Sequence, residues 1–314
     1  MLVDFLDKPM QATKKHFEDL FFSKNNIPTG SVTEYYEEVS GGKIALTGEV
    51  VGPFRMPLTL KKYAHGASGF SDAQPNLQTL AGHALAAADG KIDFTPYDND
   101  RNGQVDAFIV VHAGTGAETI QNKVEADNNI WSAKWNLVQN TRADNVNVFA
   151  FLTIPEDARV GVCAHEIGHL VFGWPDLYDT DSPGDTGSGS IMSAGVGDWC
   201  LMGAGSWGRL PGGEPGDTPC HPSAWCKANQ GWVNVISDQQ NGSISLKDVK
   251  QEPREIHRLW TNGNLTSQEF FMIENRQKMG FDRSLPGFGL LSKYCSALMS
   301  SLLRYSLGML TCAP

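Results

Sequence analysis

The stretch Gly161-Val162-Cys163-Ala164-His165-Glu166-Ile167-Gly168-His169-Leu170-Val171-Phe172-Gly173-Trp174-Pro175-Asp176 constrains this chain more than any other. On an α-helix, residues four apart lie on one face, about one turn from each other. His165 and His169 can therefore aim two imidazoles at one ion, and Glu166 sits beside the first of them. Gly173 and Pro175 stop such a helix. A chain that turns there can return a third ligand to the same ion.

The spacing is the His-Glu-x-x-His arrangement of zinc peptidases, in which the Glu acts as general base. Zinc takes nitrogen and oxygen donors in a tetrahedron, and a catalytic site leaves one position to water. Bound zinc brings that water's pKa to roughly 7. A neighbouring carboxylate, here Glu166, can take its proton and pass it to a leaving amine. Two His on a buried helix also occur as hydrogen-bonded core residues, but the run Gly173-Trp174-Pro175-Asp176, followed by Leu177-Tyr178-Asp179, favours the metal. Between Ile167 and Gly213 there is no Glu, and no His follows His169 there. The acidic candidates for a third ligand are Asp176, Asp179, Asp181, Asp185 and Asp198. Asp176 comes directly after the turn and is preferred. A Glu on a following helix would have to be Glu214 or later, a large separation.

The formal net charge of −10 gives no case for binding nucleic acid or an anionic membrane. No run reaches the length of a membrane span. Met1-Leu2-Val3-Asp4-Phe5 begins at once as a strand, without a basic and then apolar leader, so no secretory signal is read here. The six cysteines, Cys163, Cys200, Cys220, Cys226, Cys295 and Cys312, form no dense framework and no Cys-x-x-Cys pair. Cys163 reads as a small buried side chain. Cys220 and Cys226 are a candidate pair.

Along the chain, Pro9 to Lys24 predicts an amphipathic helix carrying Phe17, Leu20, Phe21 and Phe22. Gly30 to Val51 alternates as a strand should, with a turn at Gly41-Gly42. Pro75 to Asp89 predicts a helix stopped by Gly90. Phe108 to Val111 and Asn147 to Ile154 suit buried central strands. Asp181 to Gly197 turns to Gly, Ser and Asp and reads as a surface loop. His221 to Gly231 reads as a short helix with Pro222 in its first turn; His221 reads as a surface or capping residue, with a reserve metal ligand or a substrate contact as the alternatives. Val233-Asn234-Val235, Ser243 to Leu246, His257 to Trp260 and Phe270 to Glu274 read as strands of a smaller terminal section. Asn241-Gly242-Ser243 and Asn264-Leu265-Thr266 are glycosylation sequons that matter only in a secreted eukaryotic chain.

Two further stretches carry chemistry. In Asp98-Asn99-Asp100-Arg101-Asn102-Gly103-Gln104-Val105-Asp106, acidic or amide residues alternate before a Gly, as in the first half of a calcium loop. The late bidentate Glu is missing, since Ile109 holds that position, and Asp106 is its candidate substitute. A hydrogen-bonded Asx turn uses the same residue types, so Asp98, Asp100, Asn102 and Asp106 stand open between calcium and turn. Downstream, Met202 lies among small residues in Gly197 to Trp207, as in a Met-turn, which puts a thioether beneath a metal site.

Several blocks together resemble one known family: Leu2 to Phe5, Gly30 to Tyr36, Tyr97 to Asp100, Val111-His112-Ala113-Gly114, His165 to Asp179, Trp199 to Trp207, Ser223 to Lys227 and Glu274 to Gln277. The sequence resembles the immune inhibitor A family of zinc metallopeptidases over about residues 1 to 291. The resemblance implies a metzincin-like catalytic domain, secretion with a signal and propeptide, and bound calcium. It implies His165, His169 and Asp176 as zinc ligands, Glu166 as base and Met202 as the Met-turn. The family spaces its second His and Gly by two residues, whereas Leu170-Val171-Phe172 intervene here, so Asp176 fills the ligand slot only if the helix runs one residue longer. Ser292 to Pro314 departs from the family, which suggests an altered or shifted end, and the missing leader suggests an incomplete start.

The expectation is an α+β, metzincin-like zinc peptidase: a twisted mixed sheet with an active-site helix, and a smaller lower lobe. Residues 1–235 would form the catalytic domain, its upper lobe ending near 173. Residues 236–291 would form an incomplete β-rich section and 292–314 an atypical tail. Zn2+ is the implied cofactor, with Ca2+ the second metal in question. Protein or peptide substrates are the implied partners, and the oligomeric state is not indicated. The rival expectations are a zinc-bearing but inactive homologue and a calcium-dependent binding module.

Overall fold

Short apolar runs set the centre of the first sheet. In the computed structural model, which describes residues 1–180, 193–237, 242–261, 264, 266–296 and the backbone of 307–310, the chain begins with β1 (Leu2–Asp4), α1 (Lys14–Phe22), α2 (Val32–Ser40), β2 (Phe54–Arg55), α3 (Leu60–Ala64) and α4 (Leu77–Ala88). Next come β3 (Ile109–His112), α5 (Lys123–Ala126), β4 (Ala133–Ala143), β5 (Val146–Pro155) and α6 (Val160–Phe172). The chain continues through α7 (Ala224–Asn229), β6 (Asn234–Ser237), β7 (Glu255–Leu259), β8 (Glu269–Arg276), β9 (Gly289–Ser296) and β10 (Leu307–Leu310). It divides into two units, residues 1–27 with 47–173, and residues 28–46 with 174–314.

The first unit holds the sheet β2-β1-β3-β5-β4. Its inner strands run parallel, with Val111 opposite Leu2 on one side and Ile154 on the other. Such strands are covered on both faces, and continuous apolar sequence suits them. β4 returns antiparallel along β5 as the edge strand, with a register shift between Asn136 and Thr141. α4 starts at a capping box between Asn76 and Thr79 and buries Leu77, Leu80, Ala81, Ala84, Leu85 and Ala88. These side chains meet Val3, Phe5, Val110, Val148 and Phe151 in one core. At about 25 cal/mol per Å² of apolar area removed from water, a core of this kind supplies the main drive for folding the unit.

The second unit holds the sheet β10-β9-β8-β7-β6, with β6 parallel to β7 and the other pairs antiparallel. Its core gathers Ala224, Val233, Val249, Ile256, Met272 and Cys295. Beside this core lies a buried set of charges. Lys227 pairs with Glu274, and Arg276 bonds Glu274 at 3.2 Å and Asp282 at 2.6 Å. All four side chains are buried.

Three expectations fail here. Tyr35, Tyr36 and Val39 lie on helix α2, not a strand; Ser31 and Glu34 form its capping box and Gly41 closes it in the left-handed region at φ 71°. The segment from Ile44 to Val51 carries no strand, nor does Ser243 to Leu246. β9 runs on to Ser296, past residue 291, where the β-rich section was expected to end. The expected loop positions from Asp181 through Met192, as well as Asn241, Leu265 and Cys312, fall outside the described residues. Among the described residues no helix is long and apolar enough to cross a membrane.

Candidate metal centre

α6 follows β5 after a short turn, with Arg159 in extended conformation before its first residue. Val160, Gly161, Val162, Cys163, Ala164, Ile167 and Gly168 are buried. Small residues at 161, 164 and 168 let the helix lie close to its neighbours, and its remaining face carries the two imidazoles. Burial drives the Cys163 thiol pKa far above its usual value, so this cysteine stays a neutral packing group. Phe172 is the last helical residue, and Gly173 ends the helix at φ 65°, a conformation that costs glycine no Cβ clash. The helix thus includes all three residues between His169 and Gly173.

The His165 and His169 side chains are half-buried, and Glu166 is 5% exposed. The two rings meet edge to face with centroids 4.7 Å apart. Their Nε2 atoms are 3.0 Å apart. Two nitrogens on one zinc, at about 2.0–2.1 Å each, must lie within about 4.2 Å of each other, so this pair is already close enough to share an ion. In the continuous run from His165 to Asp176, one ligand atom each from His165, His169 and Asp176 lies within 4.8 Å of the others. The donors are two imidazoles and a carboxylate, the chemistry that zinc accepts.

The residues after Asp176 are held by backbone bonds. Leu177 is fully buried, and its N–H donates to the Met202 carbonyl at 2.8 Å. The Val196 N–H donates to the Leu177 carbonyl at 2.9 Å, and the Asp179 N–H to Ser193 at 3.0 Å. Gly195 has φ 56°, and a Cβ there would run into the Leu177 carbonyl oxygen. Met202 itself is fully buried, and Leu201 bonds the His221 carbonyl at 3.2 Å. Trp174 packs edge to face on Trp232, with centroids 5.3 Å apart.

The other candidates are placed as follows. Asp179 and Asp198 do not join the His165, His169 and Asp176 group. The His221 ring is buried and bonds Glu38 Oε1 through Nε2 at 2.8 Å, so its role is structural rather than that of a reserve ligand. Carboxylate oxygens of Asp98, Asp100 and Asp106 also gather within 4.8 Å. Asp98 accepts from the backbone of Asn102 and Gly103, both at 2.9 Å, while Asn102 Oδ1 accepts from Gln104 at 2.8 Å. The geometry of an Asx turn and the convergence of three carboxylates are therefore both present. The candidate pair Cys220 and Cys226 is unbridged.

Two residues escaped sequence reasoning. The Glu156 carboxylate, between β5 and α6, accepts from the N–H groups of Gln11 at 2.6 Å, Ala12 at 3.0 Å and Gly114 at 2.7 Å. It ties three segments together at the end of the sheet. His112, the last residue of β3, is fully buried; burial lowers its pKa to about 4, against a weaker upward pull from the Ala113 carbonyl and Glu156. The Val111-His112-Ala113-Gly114 block was visible, but nothing in it gave the depth of that imidazole.

The immune inhibitor A peptidase M6 catalytic domain matches residues 8–233. Pre-pro-metalloprotease PrtV of Vibrio cholerae serotype O1 (strain ATCC 39315 / El Tor Inaba N16961) is 29% identical over 314 aligned residues, covering 84% of this chain and 33% of that protein. Immune inhibitor A of Bacillus thuringiensis subsp. alesti is 31% identical over 273 residues, covering 74% of this chain and 38% of that protein. The chain therefore spans about a third of the length of these relatives. With the His-Glu-x-x-His helix inside the matched segment, the chain belongs to the immune inhibitor A (M6) family of metallopeptidases.

Proposed function

We propose that this chain is a zinc metalloendopeptidase with a metzincin-like catalytic domain, holding zinc through His165, His169 and Asp176. The observation that carries the reading is the convergence of those three donor groups from one twelve-residue run. A bound zinc ion would supply Lewis acidity toward a peptide carbonyl and make water easier to deprotonate. Glu166, next to the first ligand in sequence and shielded from bulk solvent, is the proton acceptor in this scheme and returns the proton to the departing amine. Met202 fits the Met-turn: it is buried, and its carbonyl anchors the residue that follows Asp176.

An extended peptide would lie along β4, the edge strand of the first sheet, by strand addition. Main-chain bonds to such an edge can be made by many sequences. Asp98, Asp100 and Asp106, with Asn102 from the same loop, form a proposed calcium site supported by their gathered carboxylates. Extracellular action is part of the proposal and is supported by the pre-pro designation of the Vibrio relative.

The test is zinc content on the purified chain together with proteolysis of a casein-type substrate. The proposal expects about one zinc per chain, as a single three-ligand site holds, and turnover that a chelator removes and zinc restores. Zinc binding without turnover would leave an inactive homologue, and absence of zinc would reject the site.

A further inference from the structure

We propose that Cys200 and Cys226 are a dithiol built to close as a disulfide, joining the Met202 loop to α7. Both side chains are fully buried in the second unit. Ser223, the residue that caps α7, touches both: its N–H donates to Cys200 Sγ at 3.2 Å, and its hydroxyl donates to Cys226 Sγ at 3.3 Å. The Cys226 thiol also bears on Cys200 and is the foremost of the influences that favour the Cys200 thiolate. The Met202 N–H supplies another donor to Cys200 at 3.3 Å.

The surroundings separate the two sulfurs chemically. Burial opposes ionisation of Cys200, but the Cys226 thiol, the Lys293 charge and the two backbone N–H groups outweigh it and lower its pKa from the usual thiol value. Burial and the neighbouring sulfur push Cys226 the other way. A thiolate beside a protonated thiol is the pairing that thiol–disulfide exchange requires. Cys220 is hydrogen-bonded elsewhere: its thiol donates to the carbonyls of Asp198 at 3.4 Å and His221 at 3.5 Å, and burial raises its pKa well above the usual value. Gly205 packs so closely on Cys220 that a Cβ there would overlap its sulfur.

The oxidant is a disulfide of the glutathione class. In the folding or locally opened chain, Cys200 thiolate attacks one sulfur of that disulfide and expels a thiolate. Cys226 then loses its proton and attacks Cys200 sulfur in the mixed disulfide, expelling the second thiolate. One protein disulfide forms, the reagent gains both electrons, and the two released thiolates account for the protons.

The experiment treats the full chain with oxidised glutathione during refolding, blocks free thiols with iodoacetamide, and maps peptides without reduction. The expected result is one linked pair carrying Cys200 and Cys226, sensitive to dithiothreitol and absent from Cys200→Ser and Cys226→Ser. The oxidised wild type should unfold about 5–10 °C above its reduced form. Alkylation of both cysteines after oxidation, or a link from either one to Cys220, would overturn the assignment. Because the peptide map is read on the wild type, poor folding of either variant leaves the test intact. The readout does not depend on metal or peptidase activity.

Discussion

The backbone N–H of Leu177 donates to the carbonyl of Met202 at 2.8 Å. The bond joins the residue after Asp176 to a buried methionine many positions later in the chain. It fixes the backbone that carries the proposed third ligand without using the ligand's own side chain. Asp176→Ala should therefore leave the fold in place and reduce zinc content well below that of the wild type. Circular dichroism and metal analysis on the same sample check both halves of that expectation.

Gly195 guards the same contact. Its φ is 56°, and an added Cβ would meet the Leu177 carbonyl oxygen. Gly195→Ala should cost about 1–3 kcal/mol, the usual range for backbone strain of this sort. Denaturant unfolding measures the loss, and zinc affinity should fall with it. An unchanged midpoint would mean that the segment yields without penalty.

Glu166→Gln preserves size and polarity but removes the proton acceptor. Peptide hydrolysis should drop by about 10²–10⁴-fold, the usual share of general base catalysis. Zinc content should stay at the wild-type level. Retained turnover would reject Glu166 as the base.

His112 sets a pH dependence with a definite sign. Its ordinary value is 6.5 and burial lowers it to about 4. Between these values the unfolded chain binds a proton that the folded chain does not, so stability falls as pH drops from 6.5 toward 4. The span corresponds to about 3 kcal/mol. His112→Gln, if folded, should show a flatter stability profile over that window in urea unfolding at pH 7 and pH 5. Equal slopes would remove His112 from the account.

Calcium gives a separate readout. Millimolar calcium should raise the unfolding midpoint of the wild type and have no such effect on Asp98→Asn/Asp106→Asn. Scanning calorimetry distinguishes the proposed site from a plain Asx turn, which would respond to neither.

Much of the proposed centre could be read from residue spacing. The four-residue interval between the histidines and the Gly173 stop gave α6 and the direction of the chain after it, because both rest on local backbone rules. The length of the helix past His169 was less evident, and the structure ends it at Phe172. α2 was misread for a physical reason: Thr33, Tyr35, Tyr36 and Val39 all favour strands, and tertiary burial of the tyrosines outweighs that preference. The Ser31–Glu34 capping box was the available signal. β4 went unnoticed because an edge strand with Asn136, Gln139, Asn140 and Arg142 alternates weakly and is half exposed. The adjacency of Cys200 and Cys226 depends on packing around Ser223, which no interval along the chain encodes.

The buried charges decide how much chain must be made for the second unit to fold. Lys227 lies inside the matched segment 8–233, yet its partner Glu274 lies beyond it, as do Arg276 and Asp282. An expression product cut at the end of that segment would lose Ile256, Met272 and Cys295 from the core together with the counter-ions of Lys227. A piece that keeps this core and its charge set complete therefore runs past the family-matched segment, through β8 and the turn that carries Asp282.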